Sequence, residues 1–137
     1  MSNKMLISIV DDDQSVCEAT RGLMSALGFT AEAFASGEDF LRSAHVQRTS
    51  CLIVDMQMPG MTGLELHARL VASGRAIPTI MITAYPDDRR RARALDAGIT
   101  CYLAKPFSED ALLDCIRFAL DPNSVHGCIP RAPKSPE

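Results

Sequence analysis

Long apolar runs, an excess of positive charge and paired cysteines are all missing from this 137-residue sequence. The apolar stretch at residues 5–10 is cut off by Asp11, Asp12 and Asp13, and it is too short for a signal-peptide core or a membrane span. The expected compartment is therefore the cytoplasm, with no membrane partner. A formal net charge of -3 supplies no basic field, so direct nucleic-acid binding is not expected of this chain. The 5 cysteines, Cys17, Cys51, Cys101, Cys115 and Cys128, are far apart, without a C-x-x-C pair or a histidine at ligand spacing. They read as small core or surface residues in a reducing environment. His45, His67 and His126 do not cluster, and no internal repeat is visible.

What is present is the composition of an ordinary globular protein, 47% hydrophobic and 23% charged, at a length that suits one domain. Five short apolar runs of strand type, at 5–10, 30–34, 51–54, 79–82 and 101–103, alternate with helical patterns. The first helix carries a stripe at Val16, Thr20, Leu23 and Leu27 and stops at Gly28. Ser36 and Asp39 open a second helix whose buried side is expected to be Phe40, Leu41 and Ala44. Thr62 and Glu65 form a capping box ahead of Leu66, Leu70 and Val71, and Gly74 closes that third helix. A fourth helix runs over about 87–96 with Gly98 as its stop, and a fifth over 108–120 with Leu112, Leu113, Ile116 and Leu120 inward.

Five βα units of this kind predict an α/β fold, a doubly wound parallel sheet with helices on both faces. The all-apolar runs Leu52-Ile53-Val54 and Ile80-Met81-Ile82 suit strands buried on both sides. Residues 121–137 hold four of the 8 prolines and no apolar period, so they read as a Pro-rich linker or disordered tail behind a domain of residues 1–120.

Open α/β sheets bind ligands at the carboxyl ends of their strands. There the sequence places Asp11 and Asp12 after strand one, Asp55 after strand three, Thr83 after strand four and Lys105 after strand five. If strands one and three are neighbours, their three carboxylates crowd one cleft. Two like charges ~4 Å apart repel by roughly 4 kcal/mol at an effective dielectric near 20. A hard divalent cation with oxygen ligands answers such crowding, and Mg²⁺ is the physical match. Lys105 offsets only part of the charge. A carboxylate at Asp55, rigid at its base, can attack phosphorus and form an acyl phosphate. Charge on the phosphoryl oxygens would then be met by Mg²⁺, Lys105, the Thr83 hydroxyl and backbone N–H groups after Asp55. Taken alone, the Asp11-Asp12-Asp13 run also fits a solvated turn in which Asp13 or Gln14 caps the first helix.

The run Ile9-Val10-Asp11-Asp12-Asp13, the segment from Leu52 through Asp55, Gln57 and Pro59 to Gly63, the pair Thr83-Ala84 and the triplet Lys105-Pro106-Phe107 resemble the signature of bacterial two-component receiver domains. The resemblance covers about residues 4–120, and around Asp55 it is nearest to members often fused to a LuxR-type helix-turn-helix output domain. It implies a flavodoxin-like strand order 2-1-3-4-5, with Asp55 as phosphoacceptor. It further implies a Mg²⁺ site from Asp12 and Asp55 side chains, the Gln57 backbone carbonyl and, through water, Asp11. Lys105-Pro106 is implied to be a cis peptide, and Tyr102 an aromatic switch that turns inward as Thr83 moves toward the phosphoryl group. A sensor histidine kinase or phosphotransfer protein is the implied donor. Dimerisation or output binding is implied on the fourth helix, fifth strand and fifth helix.

Two other readings share the strand-end acids. An aspartate-nucleophile phosphatase of the haloacid dehalogenase type expects a second acid where this chain has Gln57. A flavodoxin-like cofactor binder expects a Gly/Ser/Thr-rich phosphate loop where this chain has Asp11-Asp12-Asp13. The domain is otherwise expected to be a switch, not an enzyme. The arginines Arg89, Arg90, Arg91 and Arg93 read as a solvated helix face.

Overall fold

The computed structural model describes residues 5–120 other than Pro59, Ala76, Tyr85, Pro86 and Pro106. The expectations for residues 121–137 and for the Lys105-Pro106 peptide lie outside the described residues. Within them the chain alternates as expected: β1 (Leu6–Val10), α1 (Gln14–Ala26), β2 (Thr30–Phe34), α2 (Gly37–Arg42), β3 (Thr49–Asp55), α3 (Gly63–Ala72), β4 (Thr79–Thr83), α4 (Asp88–Asp96), β5 (Cys101–Ala104) and α5 (Glu109–Leu120). A 3-10 turn, Ala44–Arg48, joins α2 to β3. The strands form one parallel sheet in the order β2-β1-β3-β4-β5.

Side chains on a strand alternate between faces, and here that alternation sorts the core into two layers. Ile7, Ile9, Ile53, Ile80, Ile82 and Leu103 pack with Met24 of α1 and with Leu112 and Ile116 of α5. Val10, Leu52, Val54, Met81 and Tyr102 pack on the other face with Phe40 of α2, Leu66 and Leu70 of α3, and Ala94 of α4. The central strands β3 and β4 are accordingly buried on both sides. The described cysteines Cys17, Cys51, Cys101 and Cys115 are buried, and none is in a disulfide.

Helix ends follow the local chemistry. Asp13 caps α1, its carboxylate accepting from the Ser15 and Val16 N–H groups at 3.0 and 3.4 Å. The Ser15 hydroxyl and these backbone N–H groups hold the Asp13 carboxyl below its usual range. Ser36 caps α2, and Thr62 and Glu65 form the complete reciprocal box at α3.

Three expectations about inward faces need correction. In α1 the sheet-facing residues are Cys17, Thr20 and Met24, while Val16 and Leu23 flank the contact and Leu27 is exposed at the C-cap. Val16 and Leu23 are half-buried and border an open groove, with Leu23 also packing on the rim of the core. Ala44 is exposed, since α2 ends at Arg42 and the chain changes to the 3-10 turn. Val71 is exposed as well, its place on the inner face being taken by His67 beside Leu66 and Leu70. Strand β3 also starts two residues before the apolar run. A register shift between Leu6 and Ile7 lets it pair from Thr49, whose hydroxyl meets that of Ser8 at 2.7 Å.

Two glycines make opposite demands. A Cβ on Gly63 would stand 2.6 Å from the Asp55 carbonyl oxygen and 3.1 Å from Met56 Cα, so only glycine lets α3 start against the end of β3. Gly22, exposed in the middle of α1, has nothing near its side-chain position. Gly63→Ala is expected to destabilise the fold by about 1–3 kcal/mol, and Gly22→Ala to stabilise it by about 0.5–1 kcal/mol. Urea denaturation of the two variants checks both signs.

His67 supplies a pH dependence. Burial lowers its pKa below the ordinary histidine value. The fold therefore keeps His67 neutral while the unfolded chain protonates near the ordinary value. Stability from this site is complete above that value and is lost as pH falls through the folded-state pKa. Relative to a His67→Gln variant, the wild type should lose stability progressively on acidification below about pH 6.5. Parallel stability curves for the two proteins would contradict this.

Candidate functional site

The sheet's register builds the site. Val10 pairs with Val54 and Asp55 with Ile82, so the residues that leave β1 and end β3 and β4 arrive side by side. The Met56 N–H donates to the Ile82 carbonyl at 2.7 Å, and the Lys105 N–H to the Thr83 carbonyl at 2.8 Å. These bonds carry the ladder past the strand ends and aim the loops that follow.

Three carboxylates meet there. Ligand oxygens of Asp11, Asp12 and Asp55 all lie within 4.8 Å of one another. Asp11 and Asp55 are buried, at 3% and 7% exposure, and Asp12 is exposed. Each buried carboxylate divides its oxygens between two donors. Asp11 Oδ1 accepts from the Asp13 N–H at 2.9 Å and Asp55 Oδ1 from the Gln57 N–H at 3.1 Å. Their Oδ2 atoms both face Lys105 Nζ, at 3.2 and 3.4 Å.

The electrostatics follow from that geometry. Burial pushes the Asp11 carboxyl up; the Asp13 N–H opposes, the Asp55 charge adds and Lys105 opposes, and the outcome is a raised pKa. Burial pulls the Lys105 ammonium down, but Asp11 and Asp55 outweigh it and hold its pKa above the ordinary lysine value. One cation thus stands against three acids, and the donor set, all carboxylate oxygen, fits a hard divalent ion.

The remaining expected residues are close by. Thr83 ends β4 fully buried. Tyr102 of β5 is buried on the same face of the sheet, and its hydroxyl faces the Thr83 side chain and the Asp87 backbone without a well-formed hydrogen bond to either. Of the backbone N–H groups after Asp55, that of Met56 is committed to the sheet and that of Gln57 to the carboxylate.

Other site features carried weaker sequence signals. Gly63 brings α3 onto the Asp55 backbone, and the capping box located that helix start without revealing the close approach. The Cys17 thiol donates to the Asp11 carbonyl at 3.2 Å, which nothing in the sequence marked. Arg90 is not a fully solvated member of its run: with the Gln57 amide oxygen turned toward it, that oxygen accepts from both terminal guanidinium nitrogens, at 2.6 and 3.3 Å. Arg89 and Arg93 are exposed, as the solvated-face reading expected.

Comparison with known proteins decides the family. The sequence matches the response regulator receiver domain family over residues 7–117. The chain belongs to that family. This receiver is 38% identical over 115 residues to the response regulator protein TodT of Pseudomonas putida, covering 84% of this chain and 51% of that one. It is 34% identical over 115 residues to nodulation protein W of Bradyrhizobium diazoefficiens, again covering 84% of this chain and 51% of the other. Among solved structures, response regulator StyR superposes with a TM-score of 0.80 at 42% identity, over 88% of this chain and 61% of that chain. The chain spans about half the length of the relatives it matches. The fold and its strand order are those of a phosphoacceptor signalling domain, and neither the phosphatase nor the flavodoxin alternative finds support. Among the described residues, no helix is long and apolar enough to cross a membrane.

Repulsion in the receiver's acidic cluster yields a test. Asp12→Ala removes one of the clustered charges, so the metal-free protein is expected to melt at a higher temperature while its affinity for divalent cations drops at least tenfold. Calorimetry reads both quantities, and a variant that melts lower and still binds metal as the wild type does contradicts this account of the cleft.

Proposed function

We propose that this receiver is a signalling switch in which Asp55 accepts a phosphoryl group from a sensor histidine kinase or phosphotransfer protein in a Mg²⁺-dependent reaction. The observation that carries the reading is the placement of Lys105 Nζ between the Asp11 and Asp55 carboxylates at the carboxyl end of the sheet.

In this mechanism an Asp55 carboxylate oxygen attacks phosphorus, the bond from phosphorus to the donor's leaving atom breaks, and an acyl phosphate forms. Lys105, already drawn to the carboxylates, is placed to balance charge on the phosphoryl oxygens, and the Thr83 hydroxyl is a donor for one of them. Asp12 and Asp55 side chains and the Gln57 carbonyl would hold Mg²⁺, with Asp11 acting through water. When bound, the ion supplies positive charge that offsets the crowded acids and the incoming phosphoryl group. The domain in this reading assists its own phosphorylation and dephosphorylation without being an enzyme, and it works in the cytoplasm.

Input and readout have separate supports. An open apolar groove of about 540 Å³, lined by Val16, Ala19, Leu23 and Phe107 and bordered by Lys105, lies between α1 and the start of α5 and suits docking of the donor beside the acids. The burial of Tyr102 against Thr83 supports a readout through α4, β5 and α5, where dimerisation or an output partner would sense the change.

Intact-mass analysis after treatment with acetyl phosphate and Mg²⁺ is expected to show one added phosphoryl group that hydroxylamine removes. Asp55→Asn should show none. An adduct that persists in Asp55→Asn would move the phosphoacceptor elsewhere.

A further inference from the structure

Gln57 stands between the phosphoacceptor and α4. Its backbone N–H is on Asp55 Oδ1 at 3.1 Å, and with its amide turned so that the oxygen faces Arg90, that oxygen accepts from both terminal guanidinium nitrogens, at 2.6 and 3.3 Å, an orientation in which both amide atoms find complementary partners. Arg90 is in turn rooted at the head of α4. Its N–H donates to Asp87 Oδ1 at 2.7 Å, closing the helix cap, and its Nε lies 3.7 Å from Asp87 Oδ2. One guanidinium therefore ties the loop after β3 to the first turn of α4, and the buried Tyr102 hydroxyl is within electrostatic reach of Asp87 and Arg90.

A planar guanidinium suits this task. Its two terminal N–H groups converge on one acceptor with little rotamer freedom left, whereas a lysine offers a point charge on a flexible stem. The acceptor is a neutral amide, so what the contact supplies is orientation more than charge neutralisation. With the side chain of Gln57 held, the backbone two residues after Asp55 is held too, and with it the N–H that fixes one carboxylate oxygen while the other faces Lys105. Nucleophiles fixed in this way react faster because the geometry is set before the reaction starts.

Building on the proposed phosphorylation of Asp55, we propose that Arg90 is a positioning residue of the phosphoacceptor site, a clamp that acts through Gln57 to orient the Asp55 carboxylate and to link it to α4 by a route separate from Thr83 and Tyr102. The clamp accounts for the half-buried position of Arg90 in the run. Linkage is reciprocal: whatever Arg90 does to order the Asp55 loop, a phosphoryl group on Asp55 returns to the head of α4.

A double-mutant cycle on the full chain tests this. The rate of labelling by acetyl phosphate with Mg²⁺, followed by intact mass, is measured for wild type, Arg90→Ala, Gln57→Ala, the double variant and Arg90→Lys, each with its melting temperature. Arg90→Ala and Gln57→Ala are each expected to slow labelling roughly three- to tenfold, with the double variant no slower than the singles and melting temperatures little changed. Arg90→Lys, which keeps the charge and loses the fork, is expected to label at nearly the Arg90→Ala rate. Wild-type rates in the single variants, multiplying effects in the double variant, or a lysine variant nearer to wild type than to Arg90→Ala each overturn the clamp. Slowing matched by a large fall in melting temperature also overturns it, as general destabilisation. If the wild type itself takes no label, the phosphoacceptor reading fails and this inference with it; a labelled wild type with an additive cycle sinks the clamp alone.

Discussion

Three carboxylates within 4.8 Å of one another are unstable neighbours, and the organisation of this end of the sheet follows from keeping them there. Lys105 reaches them from 94 and 50 residues away along the chain, so the contact exists only once β5 has docked beside β4. The single ammonium lies between two acids and leaves the third, Asp12, exposed. Such a site keeps an excess of negative charge on carboxylate oxygens, the donor chemistry that a hard divalent cation prefers.

The sheet supplies the rigidity this arrangement needs. β3 and β4 are apolar on both faces, and the Met56 and Lys105 N–H groups extend the ladder past the last strand residues. Gly63 then sets α3 directly on the Asp55 backbone, closer than any side chain would allow. Asp55 is thus fixed from below by the strand, from one side by the helix start, and at its tip by Lys105 and the Gln57 N–H. Side-chain freedom at Asp55 is largely used up by these contacts.

Much of this was legible in the sequence, and the reasons differ by element. Strand-end polar residues after apolar runs located Asp11, Asp12, Asp55, Thr83 and Lys105, because a buried parallel strand leaves so few places for a charge. Caps at Asp13, Ser36 and Thr62 were readable because capping is a local interaction between residues two or three apart. Inward faces were less so. Val16 and Val71 are as apolar as their buried neighbours, and only the docking angle of each helix decides which of them meets the sheet. The Arg90 to Gln57 contact and the Cys17 to Asp11 bond join residues with no sequence relation, so composition and spacing could not have marked them. The inward Tyr102 was readable as a face of β5 but not as a state, since the alternation of a strand gives direction and not rotamer.

The division of the core into two layers bears on how such a domain diversifies. Thr83 and Tyr102 lie on the face covered by α2, α3 and α4, whereas Lys105 borders the groove on the α1 and α5 side. A continuous sheet of hydrogen-bonded backbone separates them. Substitutions around Val16, Ala19 and Leu23 can therefore accumulate without repacking the layer that holds Thr83 and Tyr102. Lineages built on this frame can vary one helical layer while the other stays fixed, and among the described residues the acids and Lys105 at the sheet's carboxyl end stand where the two layers meet.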